Sequence, residues 1–365
     1  MAKLIGTDWW NSGIVKKTVN ERSGDLQYMG MCYAPVCIPT LDRYEHLKEL
    51  IESLQKNPWA QYTDLYIGLD FPPGKKYEEG YEKVKRYLNQ GIQGFRDVHI
   101  IKQDHNLGAT KNTWAILDAV LTQFDRFILL EDDNIVSTDF LEYMDKCLEY
   151  FYEDERVNTI GGYTNMLLEE KVNSDHANVF AVHDGNGWGL ACWKKNWQKM
   201  RAEINRDYFE AAVRDIRKIS KIKYKRSLYK LIEYLSVEKE VPFQDSTINI
   251  YMQMNDMCKI LPTKTKVLNR GWDGTGVNCG INDSYMNQEM QEDHKAFSLK
   301  VSSDLLTAKT IRENDMIIRR ADDYNINLRK WITLILFFIF SPGRINKLAF
   351  KWKQLKNKVL KRNER

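Results

Sequence analysis

No two of the six cysteines, at positions 32, 37, 147, 192, 258 and 279, stand as a Cys-x-x-Cys pair, and the histidines are not paired either. That excludes a zinc ribbon or a disulfide framework and suits reduced thiols in a cytosol-like compartment. Internal repeats and low-complexity segments are absent. So is a charged-then-apolar leader at the N-terminus, which argues against export. Trp331–Phe340 is apolar for only ten residues, short of the ~20 a membrane span needs. A basic body is missing too. The net charge of +4 comes from the last 25 residues, which carry +8, while residues 1–340 carry −4. The body is therefore not built to bind nucleic acid.

What the chain does have, over residues 31–135, is an alternation of short apolar runs with helical patterns. Candidate strands are Ala34–Ile38, Leu65–Leu69, Val98–Lys102 and Arg126–Leu130. Helical stretches at Arg43–Gln55, Tyr77–Asn89 and Gly108–Phe124 separate them, the first with Leu47, Leu50, Ile51 and Leu54 on one face. Such alternation predicts right-handed crossovers and a parallel nucleotide-binding sheet. Further on, the pattern predicts a helix over Asp139–Tyr152, strands at Val157–Ile160 and Val179–His183, long exposed helices over 198–240 and a helix over Ser246–Met257.

The fourth strand runs straight into Glu131-Asp-Asp133. Three adjacent carboxylates repel one another unless a cation or hydrogen bonds take up the charge. The carboxyl ends of strands are where open α/β sheets bind ligands. The run reads either as a site for a hard cation or as a solvated turn. Three more clusters fall at strand ends. Arg43, in Pro39-Thr40-Leu-Asp-Arg43, has a planar fork suited to a diphosphate. Asp70 is placed to accept a uracil imide proton. Asn106, Gly108 and Lys111 open a helix whose N-terminus favours an anion.

The chain resembles the metal-dependent GT-A glycosyltransferases, in particular bacterial enzymes similar to the N-acetylglucosaminyltransferase that initiates complex N-glycans. The likeness rests on Pro39-Thr-x-x-Arg43, Asn106-Leu-Gly108 with Lys111-Asn112, and Leu129-Leu-Glu-Asp-Asp-Asn134. Gly187-Trp188-Gly189-Leu-Ala-Cys-Trp193 and Asn269-Arg-Gly-Trp-Asp-Gly-Thr-Gly276 extend it. The resemblance implies a Rossmann-like mixed α/β sheet with helices on both faces. It implies that Asp133 binds Mn²⁺ or Mg²⁺, and that Asp132 and Glu131 meet the donor sugar or ribose. Trp188 and Gly189 would line the donor sugar, whereas Trp193 reads as core. Asp245 is the implied base of an inverting transfer, although Asp followed by Ser-Thr is equally a helix cap. Where relatives often carry a histidine, this chain has Asn278.

The expected organisation is an N-terminal extension (1–30, notable for Trp9-Trp10) and a catalytic domain (31–310). The domain comprises a nucleotide half (31–135) and an acceptor half (136–310). A C-terminal helical tail (311–365) would follow. In the tail Ile345, Leu348, Trp352, Leu355 and Val359 share one face and lysines the other, as in a helix lying on an anionic membrane. The expected enzyme uses a UDP-sugar and a lipid-linked or polysaccharide acceptor in surface glycan synthesis, peripheral on the inner face of the plasma membrane. The alternatives are a sugar-phosphate nucleotidyltransferase, whose glycine-rich loop after the first strand is absent here, and a non-catalytic carbohydrate-binding component.

Overall fold

The computed structural model describes residues 32–165, 177–237, 240–275, 296–320 and 328–340, with 169, 172, 281 and 290 as isolated positions. The first 31 residues, Asn278 and the basic segment 341–365 lie outside the described residues.

Strands β1 (Val36–Thr40), β2 (Leu65–Leu69), β3 (Val98–Lys102) and β4 (Arg126–Leu129) form the parallel half of an eight-stranded sheet. The crossovers are α1 (Tyr44–Gln55), α2 (Lys75–Asn89) and α3 (Gly108–Val120). Side chains alternate across the strands, as period two requires. Val36, Ile38, Leu65 and Ile67 face α1 and α2, while Cys37 and Tyr66 face the core shared with α3. Gly68 lets α3 approach: a Cβ there would stand 2.4 Å from Ile116 Cδ1, and Asn112 Nδ2 donates to the Gly68 carbonyl at 2.8 Å.

Beyond β4 the sheet turns mixed. The remaining strands are β6 (Val157–Gly161), β7 (Val179–Val182), β8 (Leu190–Trp193) and β9 (Cys258–Pro262), and the full order is β3-β2-β1-β4-β8-β6-β9-β7. β8 is antiparallel to β4 and β6, and β7 is antiparallel to β9. This is the mixed sheet with helices on both faces that the resemblance implies. A separate ribbon pairs β5 (Asn134–Val136) with β10 (Val267–Asn269), setting Asn134 opposite Asn269.

The second face of the sheet carries α5 (Lys194–Glu203), α6 (Arg206–Ala212), α8 (Lys225–Val237) and α9 (Asp245–Met254), with the short α7 (Ile216–Ile219) between them. The sequence expectation of long exposed helices over 198–240 is corrected here. The segment breaks into several, and Trp197, Met200, Phe209, Leu231 and Leu235 are buried in one core. α4 (Phe140–Tyr150) covers the first face. α10 (Ala308–Arg320), most of it assigned to the tail by sequence, belongs to the body. It packs on β7, and buried Asp315 accepts from the His183 backbone N–H at 3.0 Å and from the Tyr224 hydroxyl at 2.8 Å. α11 (Leu328–Ile339) rests on α8 through buried Leu334 and Phe337.

Candidate active site

The acidic run leaves β4 as a turn. The Asn134 N–H donates to the Glu131 carbonyl at 3.1 Å, and Asn134 Oδ1 accepts from the Glu131 N–H at 3.1 Å. The turn sets the three carboxylates together at the carboxyl edge of the sheet. Thr40, the last residue of β1, donates from Oγ1 to Asp132 Oδ2 at 3.0 Å. Pro39 costs no ladder bond towards β4, because the β1–β4 pairing ends at Cys37 and Leu129.

Arg43, directly before α1, brings its fork down between the carboxylates. Nη1 donates to Asp133 Oδ2 at 2.7 Å and Nη2 donates to Asp132 Oδ1. From the opposite side Asn269 Nδ2 donates to Asp133 Oδ1 at 2.8 Å. The ribbon of β5 and β10 is what carries Asn269 there. Asp132 and Asp133 are both about 6% exposed.

Glu131 is exposed. Desolvation, then Asp133, Asp245 and Asp132, push its carboxyl up to about 8, with Arg43 pulling the other way. Burial likewise pushes Asp132 up, opposed by Arg43. Asp245 is among the groups acting on Glu131, so the two lie within electrostatic reach although 114 residues separate them. The cluster thus carries more negative charge than Arg43 alone can balance.

Asp245 occupies the first turn of α9, where the helix dipole favours a carboxylate. It is not the cap. Gln244 takes that place in a capping box with Thr247, whose Oγ1 accepts from the Gln244 N–H at 3.0 Å. Asp245 Oδ2 instead accepts the Gly187 N–H at 2.7 Å. Trp188 is half-buried, its ring edge-on to Tyr163 with centroids 4.6 Å apart. Gly189, at φ 65°, turns the chain from this loop into β8. Trp193 is core, its Nε1 donating to the Leu148 carbonyl at 3.1 Å.

Asp70 sits apart from the carboxylates and is only 4% exposed. Its Oδ1 accepts from the Phe71 and Leu107 N–H groups, at 2.9 and 2.8 Å. Its Oδ2 accepts from the Gly108 N–H at 2.8 Å and Asn106 Nδ2 at 3.2 Å. Four donors fill the lone pairs of one carboxylate. Gly108, at φ 74°, can open α3 in this conformation because it has no Cβ. Lys111 is exposed on the first turn of that helix.

Three members of the site were not among the residues singled out from sequence. Asn269 lay inside a motif without an assigned role. Lys259 is a lysine within the apolar strand Cys258–Pro262, which was the available signal; it is 1% exposed, with Nζ donating to the Asn186 carbonyl at 3.0 Å. Burial lowers its pKa, and Asp245 and Asp184 oppose that. Asn249, one turn after Asp245, donates from Nδ2 to Asp184 Oδ1 at 2.7 Å and to the Gly185 carbonyl at 2.8 Å.

Among the described residues no three His, Cys, Asp or Glu side chains form a complete metal-ligand set. The donors present are hard oxygens, and a Mg²⁺-like ion commonly takes one or two carboxylates and completes its shell with phosphate and water. Asp133 suits that mode. Gly271 keeps space beside it clear: a Cβ there would lie 2.2 Å from Oδ2.

Neither a protein-family model nor a curated protein sequence matches the chain. Among solved structures it is similar to the mannosyltransferase PcManGT from Pyrobaculum calidifontis in complex with GDP-Man and Mn²⁺. That match has 12% identity and a TM-score of 0.33 over 46% of each chain. It is similar to S. aureus TarS 1-349 at 11% identity and TM-score 0.40, over 84% of this chain and 80% of that one. GalNAc-T7 with UDP, GalNAc and Mn²⁺ matches at 11% identity and TM-score 0.39, over 67% of this chain and 46% of the other. The chain thus spans less than half of the mannosyltransferase and of GalNAc-T7. These likenesses are distant, and the functional reading rests on the site itself.

Proposed function

We propose that this chain is a metal-dependent GT-A glycosyltransferase that inverts the anomeric centre of a UDP-sugar. The observation that carries the reading is the carboxylate triplet that follows β4, with Asp245 within electrostatic reach of Glu131. Asp133 would hold Mn²⁺ or Mg²⁺, which when bound supplies a Lewis acid for the departing diphosphate.

The chain's own groups do the rest. Asp245, held by the Gly187 N–H, takes the proton of the acceptor hydroxyl as that oxygen attacks. Glu131, beside Asp133, meets a hydroxyl of the donor sugar or ribose. Asp132 braces Thr40 and Arg43, and Arg43 turns to the diphosphate when the donor arrives. Asp70 works through the loop it holds, which sets Asn106, Gly108 and Lys111 at the donor. Trp188 and Gly189 border the donor sugar, and Pro39 the nucleotide. The acceptor is lipid-linked or a growing surface polysaccharide, and the enzyme works as a peripheral protein on the inner face of the plasma membrane. No helix among the described residues is long and apolar enough to cross a membrane.

A thermal-shift screen of UDP, GDP, CDP and their sugars, with and without Mn²⁺, tests the reading. UDP-sugars should stabilise the protein selectively and only with the metal, and Asp133→Asn should remove the metal-dependent part. Equal stabilisation with and without metal, or by no nucleotide, would overturn it.

A further inference from the structure

A polar hollow of about 190 Å³ opens beside Asp245. Asp184, Arg226, Lys230, Ser246 and Asn249 contribute to its wall, and every side chain lining it is polar. Charges there are balanced in place: Arg226 Nη2 is 2.8 Å from Asp184 Oδ1, and Lys230 Nζ is 3.0 Å from Glu233 Oε2. Asn249 is 5% exposed and its Oδ1 has no hydrogen-bond partner. The amide cannot be turned over to cure this, because Nδ2 already faces two acceptors, Asp184 Oδ1 and the Gly185 carbonyl. An unpaired buried acceptor on the wall of an all-polar hollow suits a ligand that brings hydroxyl donors.

One wall of the hollow is α8, which supplies Arg226, Ser227 and Lys230. The same helix turns Leu231, Ile232 and Leu235 into the core that holds Leu334 and Phe337 of α11. Apart from that seam most of the described apolar side chains of α11 are exposed. Trp331, Ile332, Ile335, Leu336, Phe338, Ile339 and Phe340 are each at least 36% exposed among the described residues. Monomeric soluble proteins rarely leave such a contiguous apolar surface without a partner. At 1.5 Å per residue α11 is about 18 Å long, too short to cross a bilayer core of ~30 Å but long enough to lie in its surface. The chain beyond α11 says which partner fits. Residues 341–365 carry +8, which draws the helix to anionic lipid and sets two copies of this chain against each other.

We infer that α8 couples a lipid-docked α11 to the hollow beside Asp245, so that the acceptor is a lipid-anchored molecule whose hydroxylated headgroup enters the hollow while its tail stays in the bilayer. The docking stands by itself; the acceptor's role rests on the glycosyl-transfer reading.

The test uses the full chain with phosphatidylcholine vesicles, with and without phosphatidylglycerol. Hydrogen exchange should slow in 328–339 and 225–237 on the anionic vesicles and stay unchanged in 75–89. Protection in neither segment, or dimerisation in solution that covers 328–339, overturns the docking. Ile335→Asp with Ile339→Asp should weaken vesicle affinity about tenfold or more, the order expected for exposing two docked side chains. The same pair should lower transfer to a sugar carried on a dialkylglycerol and spare transfer to that sugar free in solution. Equal effects on both forms overturn the lipid-anchored acceptor. Two readouts separate the levels: no transfer by the wild type with any UDP-sugar overturns the glycosyl-transfer reading, full transfer by Asp245→Asn removes only its role as base, and vesicle binding reports on docking alone.

Discussion

Gly187 and Asp245 are fitted to each other in two ways. The glycine N–H donates to Asp245 Oδ2 at 2.7 Å, and a Cβ on the glycine would stand 2.3 Å from Asp245 Oδ1. Gly187→Ala therefore pushes the carboxylate from its place without removing it. The expected outcome is a fall in kcat on the order of a hundredfold, the cost of misplacing a catalytic group by about 1 Å. Donor KM should change little and the melting temperature should hold. A wild-type kcat in steady-state assays would remove Asp245 from the mechanism.

Arg43 bridges Asp132 and Asp133. Arg43→Gln leaves two carboxylates, each about 6% exposed, without their cation. Breaking a buried ion pair from one side costs about 3 kcal/mol. Urea titrations should find that loss, and millimolar Mn²⁺ should recover part of it in the variant while affecting the apo wild type less. A loss that Mn²⁺ does not touch would argue that the carboxylates are structural.

Asp70→Asn keeps the shape but turns two hydrogens towards a loop of donors. The variant amide can no longer accept from the Phe71, Leu107 and Gly108 N–H groups together with Asn106. An unmet buried donor costs about 2 kcal/mol. Calorimetry should register it, and donor KM should rise with kcat nearly intact, because the residue acts through the loop. A fall in kcat alone would point to direct contact with the reacting atoms.

Asp145 on α4 carries a pH dependence unrelated to catalysis. It is fully buried, Oδ1 accepts the Ala34 N–H at 2.9 Å, and Oδ2 has no partner. Burial, opposed by that hydrogen bond and by Arg126, pushes its carboxyl up to about 8. Between about 4 and 8 the folded chain then holds a proton that the unfolded chain has released. Stability contributed by this group is complete below pH 4 and is lost as pH rises to 8, by roughly 1.4 kcal/mol per pH unit. Asp145→Asn should flatten that part of the stability–pH curve and raise the melting temperature at pH 8 relative to wild type. Parallel curves for the two proteins would refute the assignment.

Local patterns announced the parallel half of the sheet well. β2 and β3 fall on the expected residues, because each is a short apolar run closed by polar residues. β1 lies two residues later than expected, since Ala34 and Pro35 extend the apolar run without joining the ladder to β2. β8 was not foreseen: Leu-Ala-Cys-Trp after two glycines has no period-two pattern, being buried on both faces. Its antiparallel insertion between β4 and β6 is a matter of long-range pairing, which local periodicity does not encode. The carboxylates of the site could be read from their strand ends, but their partners could not. Gln244, not Asp245, caps α9, and the choice depends on Gly187 arriving from another part of the chain. Asn269 reaches Asp133 only because a two-stranded ribbon forms.

The two partners of the acidic run differ in when they exist. Arg43 precedes Asp132 by 89 positions, whereas Asn269 follows Asp133 by 136. A ribosome therefore delivers the neutralising cation before the carboxylates it must offset, and the amide long afterwards. Thr40 and Arg43 are thus already made when the carboxylates they meet are added. The set is completed only when β10 is added, so a product truncated before Asp245 carries the acidic run without Asn269 or Asp245.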